Sequence, residues 1–224
     1  MNSGQYIPYN WVKRKEGYIL NELLKGNFIA TPSIVARKEC FQKVGMFDER
    51  LPRLQDWELV LRLSKHYEFR IVDEPLLISP LTADSLSTNE TARIEALKLI
   101  ITKHLKDFLK DKETLSGYYY GIGTYECING DTQEGEDYIW RAFQLIPNKR
   151  ILAQRYFTIG RRACLRDVRR GRRFLTKALI LNPSGVGIYL TFLASLLGNP
   201  GYRKVAQVHK KLSSLLNSAR TDPK

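Results

Sequence analysis

The chain has 224 residues, 43% of them hydrophobic and 26% charged, a globular balance with enough apolar surface for one or two packed domains. No run of eighteen apolar residues occurs, so a spanning helix is excluded, and the first eighteen residues lack the charged head and apolar centre of a secretory signal. Lys and Arg number 36 against 23 Asp and Glu, and the surplus is uneven: residues 1–110 hold 17 basic and 14 acidic residues, residues 111–224 hold 19 and 9. That asymmetry points to two modules, the second facing something anionic. Cys40, Cys127 and Cys164 are widely spaced with no CxxC pair, which reads as reduced thiols and not as a disulfide framework or zinc site.

The first half changes element type often. Gly17–Lys25 places Ile19, Leu20, Leu23 and Leu24 at helical spacing and ends at Gly26-Asn27. Phe28–Ala36 is rich in β-formers and predicts a short strand interrupted at Thr31-Pro32. Arg37–Val44 predicts one or two helical turns closed by Gly45. Leu54–Tyr67 predicts a helix with Leu54, Trp57 and Leu61 on one face, and Phe69–Val72 and Leu76–Ile78 predict short strands. Mixed short strands and helices argue for an α/β domain.

From Ser87 onward the pattern is helical. Thr88–Lys110 predicts one helix, with Ser87 or Asn89 as its N-cap. Beyond it, Arg141–Asn148 echoes Lys177–Ser184: Ala142 and Ala178 are 36 apart, as are Pro147 and Pro183, and Gly123 and Gly160 are 37 apart. Helices are predicted near 115–128, 131–146, 150–165, 167–181, 186–197 and 201–216. A small Ala lets the second helix of each pair pack closely, and Pro stops it before the next pair. The spacing resembles a degenerate tetratricopeptide array; an ordinary helical bundle with one coincidental echo is the alternative.

The block 26–87 carries the chemistry. It holds Gly-Asn-Phe-Ile-Ala-Thr-Pro-Ser (26–33), Val-Gly-Met-Phe-Asp-Glu-Arg-Leu (44–51) and Leu-Gln-Asp-Trp-Glu-Leu-Val-Leu-Arg-Leu (54–63). Gly45 permits a sharp turn, Phe47 can anchor it, and Gln55-Asp56 falls in the first turn of a helix, where the dipole favours a carboxylate. Such a carboxylate is oriented and ionised, as a general base must be, although a helix N-terminal carboxylate more often has no chemistry.

In order and spacing these segments resemble the acceptor half of family 2 glycosyltransferases of the GT-A fold. The resemblance implies that Asp56 is the catalytic base, deprotonating an acceptor hydroxyl for inverting transfer from a nucleoside diphosphate sugar. Gln55 and Trp57 would bind substrate, with Trp57 either a stacking platform or a core residue. It also implies a donor half that this chain does not carry: no Asp-x-Asp occurs, so no metal ligand and no cofactor is expected here, and Mg²⁺ or Mn²⁺ would come only with that half. The family's Arg and His before a Ser-x-Ser are missing from 79–87, and His66, His104 and His209 read as helix-surface residues.

Residues 149–177 hold eleven Lys and Arg against one acid, Asp167. Sparse aromatic interleaving argues against nucleic acid; an anionic membrane surface fits better, with a solvated basic face that has no partner as the alternative. The expectation is thus a partial GT-A-like α/β domain over 1–87, a connecting helix over 88–112 and an all-α, tetratricopeptide-like domain over 113–218. The implied partners are a nucleotide-sugar donor and a glycan or lipid-linked acceptor, in a cytoplasmic protein peripheral on the inner face of the membrane. The competing expectation is a non-catalytic helical-repeat protein that binds a protein partner or an anionic membrane surface.

Overall fold

The structure, a computed structural model, describes residues 12–72, 74, 76 and 89–220, with the side chains of 211–220 excepted. It divides into two compact units, Met1–Leu115 and Ser116–Lys224.

In the first unit the apolar spacing of Gly17–Lys25 forms helix α1 (Leu20–Lys25), which buries Leu23 and Leu24. Helix α2 (Lys38–Val44) stops at Gly45, whose φ of +84° and N–H bond to Phe41 O at 2.8 Å make it the capping glycine the sequence predicts. Helix α3 (Gln55–Ser64) buries nearly every side chain from Trp57 to Ser64. Helix α4 (Glu90–Lys103) starts at Asn89, whose side chain accepts from Ala92 N–H at 3.0 Å. The single helix expected over 88–110 breaks at His104 and resumes as α5 (Leu105–Phe108).

The α/β expectation for residues 1–87 is overturned: the described residues contain no strand. Phe28–Ala36 instead holds a 3₁₀ turn at Thr31–Ser33 with Pro32 inside it, and Val35 is fully in solvent. Phe69–Val72 makes one isolated bridge, between Gly17 and Phe69, while Ile71 and Val72 are exposed. β-forming side chains make a strand only where a neighbouring strand pairs with them, and among the described residues none does. Leu77 and Ile78 of the third expected strand, and the stretch 79–87, lie outside the described residues. A GT-A half is built on a sheet, so the glycosyltransferase resemblance loses its fold.

In the second unit, six helices form three successive hairpins: α6 (Lys112–Asn129) with α7 (Thr132–Leu145), α8 (Lys149–Ala163) with α9 (Val168–Leu181), and α10 (Val186–Ser195) with α11 (Gly198–Arg220). The unit boundary falls in the first turn of α6. The first two hairpins repeat closely, at an offset of 37 residues along the first helix of each and 36 along the second. Asp131 and Asp167 cap α7 and α9, their carboxylates accepting the N–H groups of Gln133 at 2.7 Å and Arg169 at 2.8 Å. A Cβ at Gly135 would sit 2.6 Å from Cys127 N and 2.9 Å from Gly123 O; at Gly171 it would sit 2.6 Å from Cys164 N and 2.7 Å from Gly160 O. The helices of each hairpin therefore touch backbone to backbone at a glycine pair, with a buried cysteine beside it. One core holds Ile139, Ala142 and Phe174, and the next holds Leu175, Ala178 and Ile188, so each hairpin shares its apolar face with the one that follows.

Candidate functional site

The three residues singled out at the start of α3 are all engaged in the fold. Asp56 Oδ2 accepts the Thr31 hydroxyl at 3.1 Å and Oδ1 accepts the Trp57 N–H at 2.7 Å, which ties the 3₁₀ turn to the helix start. Gln55 Nε2 donates to Leu51 O at 3.2 Å. Trp57 is 2% exposed, its indole N–H donates to Leu23 O at 2.7 Å, and its ring meets Phe108 edge-on at 6.4 Å. The indole faces the core and offers no ring face to a sugar.

One turn further on, α3 carries a charged centre that the sequence reading missed. Glu58 is fully buried. Its carboxylate accepts from Arg62 Nε at 2.9 Å, pairs with Lys103 Nζ at 2.7 Å, and lies 3.0 Å from His104 Nε2. The Lys65 ammonium sits 2.9 Å from His104 Nδ1, so that nitrogen is the acceptor and Nε2–H donates to Glu58. Burial pushes the Glu58 carboxyl up, but His104, Lys103 and Arg62 override it and hold it at about 2. Arg62 also donates to the carbonyls of Val44, Gly45 and Met46, closing the end of α2. Lys103 reaches Asp48 at 2.9 Å, and the Arg50 and Lys103 partners hold the Asp48 carboxyl well below its usual range. A cavity of about 270 Å³ opens above this network, lined by Asp48, Arg50, Glu58, Leu99 and Lys103 among others, but by none of Gln55, Asp56 and Trp57. Each ionised group around it already has an opposite partner, so the arrangement joins α2, α3 and α4 without leaving a titratable group poised for chemistry.

His104, expected on a helix surface, is instead buried, whereas His66 and His209 are exposed. Cys127 and Cys164 are also buried; desolvation raises their thiols to about 12 and about 11, which keeps them protonated and unreactive. Among the described residues no group of three or more His, Cys, Asp and Glu could hold a metal ion, and no helix is long and apolar enough to cross a membrane.

The second unit presents a different kind of surface. Val186, Tyr189, Leu190, Leu193, Leu196 and Leu197 recur at i, i+3, i+4, i+7, i+10 and i+11 along α10 and the turn after it, and all are exposed. A 36-residue shift aligns α10 with α8. Ile188 and Ser195 are buried like their counterparts Leu152 and Ile159. Leu193, however, is 57% exposed, whereas its counterpart Phe157 packs against the core that contains Ile188 and Tyr202 of the third hairpin. Leu196 stands where α8 has Gly160, the residue that lets α9 approach.

Not all of the basic stretch 149–177 faces solvent. Arg170 Nη2 donates to Thr132 Oγ1 at 2.6 Å, and Lys177 pairs with Glu136 at 2.6 Å, both within the repeats. Arg161, Arg162 and Arg169 remain exposed.

Comparison with models of protein families, with curated proteins and with solved structures finds no match. Neither the glycosyltransferase nor the tetratricopeptide resemblance gains support there; the glycosyltransferase reading falls with the missing sheet, and the helical repeats stand on their own geometry.

Proposed function

We propose that the chain is a non-catalytic interaction protein that docks another macromolecular surface through its helical-repeat unit. The observation that carries this reading is the apolar stripe on α10, left uncovered in an array whose preceding hairpins share their apolar faces. A stripe of six large apolar side chains at helical spacing loses free energy in water and gains it when covered.

The test is a photo-reactive side chain placed at Leu193, with exposed Thr176 on α9 as the control position. Irradiation in cells is expected to give adducts, protein or lipid, from position 193 and not from 176. Equal labelling at both positions, or none at 193, overturns the reading.

A further inference from the structure

Resting on that reading, we infer that the surface docked by the third hairpin is an anionic membrane surface, engaged at the edge where the α8–α9 and α10–α11 turns lie side by side. The two turns are joined by specific bonds. Asn199 Oδ1 accepts Val168 N–H at 2.8 Å, its Nδ2 donates to Arg166 O at 3.2 Å, Arg203 Nε donates to Leu165 O at 2.8 Å, and the Tyr202 hydroxyl donates to Arg161 O at 3.1 Å.

This edge combines two features that lipid headgroups and acyl chains recognise together. Leu165, Leu196 and Leu197 project from the two turns, 43%, 55% and 61% exposed, and Leu193 continues them along α10. Around them stand the exposed cations Arg161, Arg162, Arg166, Arg169, Arg203 and Lys204. The carboxylate on the α8–α9 turn is that of Asp167, which is occupied in capping α9, and from Val168 to Thr221 the sequence has no acidic residue at all. A hollow of about 290 Å³, lined by Leu165, Arg203, Ala206, Gln207 and Lys210, opens between the α8–α9 turn and α11, with cations and no carboxylate on its walls.

The competing occupants fit less well. From Ala178 to Tyr202 no residue is charged, so α10 has nothing with which to fix the register of a partner helix, and a nucleic-acid backbone would meet the surrounding cations while leaving the apolar stripe uncovered. A bilayer surface needs no register. Apolar side chains enter the boundary between headgroups and acyl chains while the surrounding Arg and Lys meet anionic headgroups. With ten residues, α10 is too short to span, so the attachment is peripheral.

The experiment is co-sedimentation of the full chain with vesicles of phosphatidylcholine alone and of equal parts phosphatidylcholine and phosphatidylserine. Binding to the mixed vesicles and not to phosphatidylcholine alone is expected. The double variant Leu196→Asp, Leu197→Asp should lose at least about tenfold in affinity. Replacing Arg161, Arg162 and Lys204 by Gln should cost about fivefold for each charge removed. These side chains are solvent-exposed, and unchanged circular dichroism of each variant shows that the fold is kept. Equal binding to both vesicle types, or binding that survives the Asp pair, overturns the assignment of an anionic membrane to this edge. If no vesicle binds while the chain carrying the photo-reactive side chain at position 193 yields protein adducts, the lipid assignment falls and the docking reading stands. If it yields neither, both fall.

Discussion

The two units are held together by opposite means. In the first, a single buried carboxylate, Glu58, gathers Arg62 from its own helix and Lys103 and His104 from the end of α4, and Arg62 reaches on to the last carbonyls of α2. In the second, the joints are places where side chains are absent: Gly123 against Gly135 and Gly160 against Gly171 let paired helices meet at their backbones. A charge network ties together residues as far apart as Glu58 and His104, and each member is costly without the others. A glycine contact is local to one hairpin and can be repeated.

Removing the centre of the charge network should give the largest effect. Glu58→Gln leaves three cationic or polar partners facing a neutral group in a buried site, a change that costs about 4 kcal/mol. The loss should appear in hydrogen exchange as reduced protection of α3 and α4, with α8 and α9 unaffected. Acid tests the same centre without mutation. The Glu58 carboxyl is held at about 2 in the folded chain, below its ordinary 4.5, so its contribution is fully present above the ordinary value and is lost as pH falls through the folded one. The expected loss is about 3 kcal/mol, accumulating from about pH 5 down to about pH 2. Protection of α3 and α4 that stays constant over this window would mean that Glu58 contributes nothing ionic to the first unit.

Next in size is the glycine contact. Gly171→Ala puts a methyl against Cys164 N, Cys164 Sγ and Gly160 O, where backbone has to move, and should destabilise the second unit by about 3 kcal/mol. Gly135→Ala meets Cys127 N and Gly123 O in the same way and should cost a similar amount. Gly121→Ala is the counter-test: nothing lies within 4 Å of its Cβ, so in mid-helix it should stabilise by about 0.5–1 kcal/mol. Chemical denaturation of the three variants reads all three signs. Destabilisation by Gly121→Ala as large as that by Gly171→Ala would sink the claim that contact, and not helix propensity, decides these positions.

This difference in construction also sets what the sequence could reveal. The Ala, Pro and Gly echoes of the second half are local and periodic, so its six helices are readable, with boundaries a few residues off. Phe28–Ala36 and Phe69–Val72 have β-forming composition, but composition does not say whether a neighbouring strand exists, and the α/β reading failed there. Glu58 sits two residues after Asp56 in the same run, yet its partners Lys103 and His104 come from the far end of α4, and nothing at either position signals the other. In the block that resembles a sugar-transfer site, Gln55, Asp56 and Trp57 are engaged in hydrogen bonds and packing within the fold. The uncharged run from Ala178 to Tyr202 was in plain view and could have marked the third hairpin, but burial alone shows that its apolar side chains face outward.

The caps of α7 and α9 give the smallest effect and the finest test of the repeat. Asp131 Oδ1 accepts two N–H groups, from Gln133 at 2.7 Å and Glu134 at 3.2 Å, whereas Asp167 Oδ1 accepts that of Arg169 at 2.8 Å. Both carboxylates also face the positive end of a helix dipole. Replacing either by Ala should cost about 1 kcal/mol, and Asp131→Ala should cost slightly more because two donors lose their acceptor. If the hairpins are equivalent, each substitution should reduce hydrogen-exchange protection in the first turn of its own helix by a comparable amount. A loss confined to one of them would mean that the 36-residue echo is matched in backbone but not in energy.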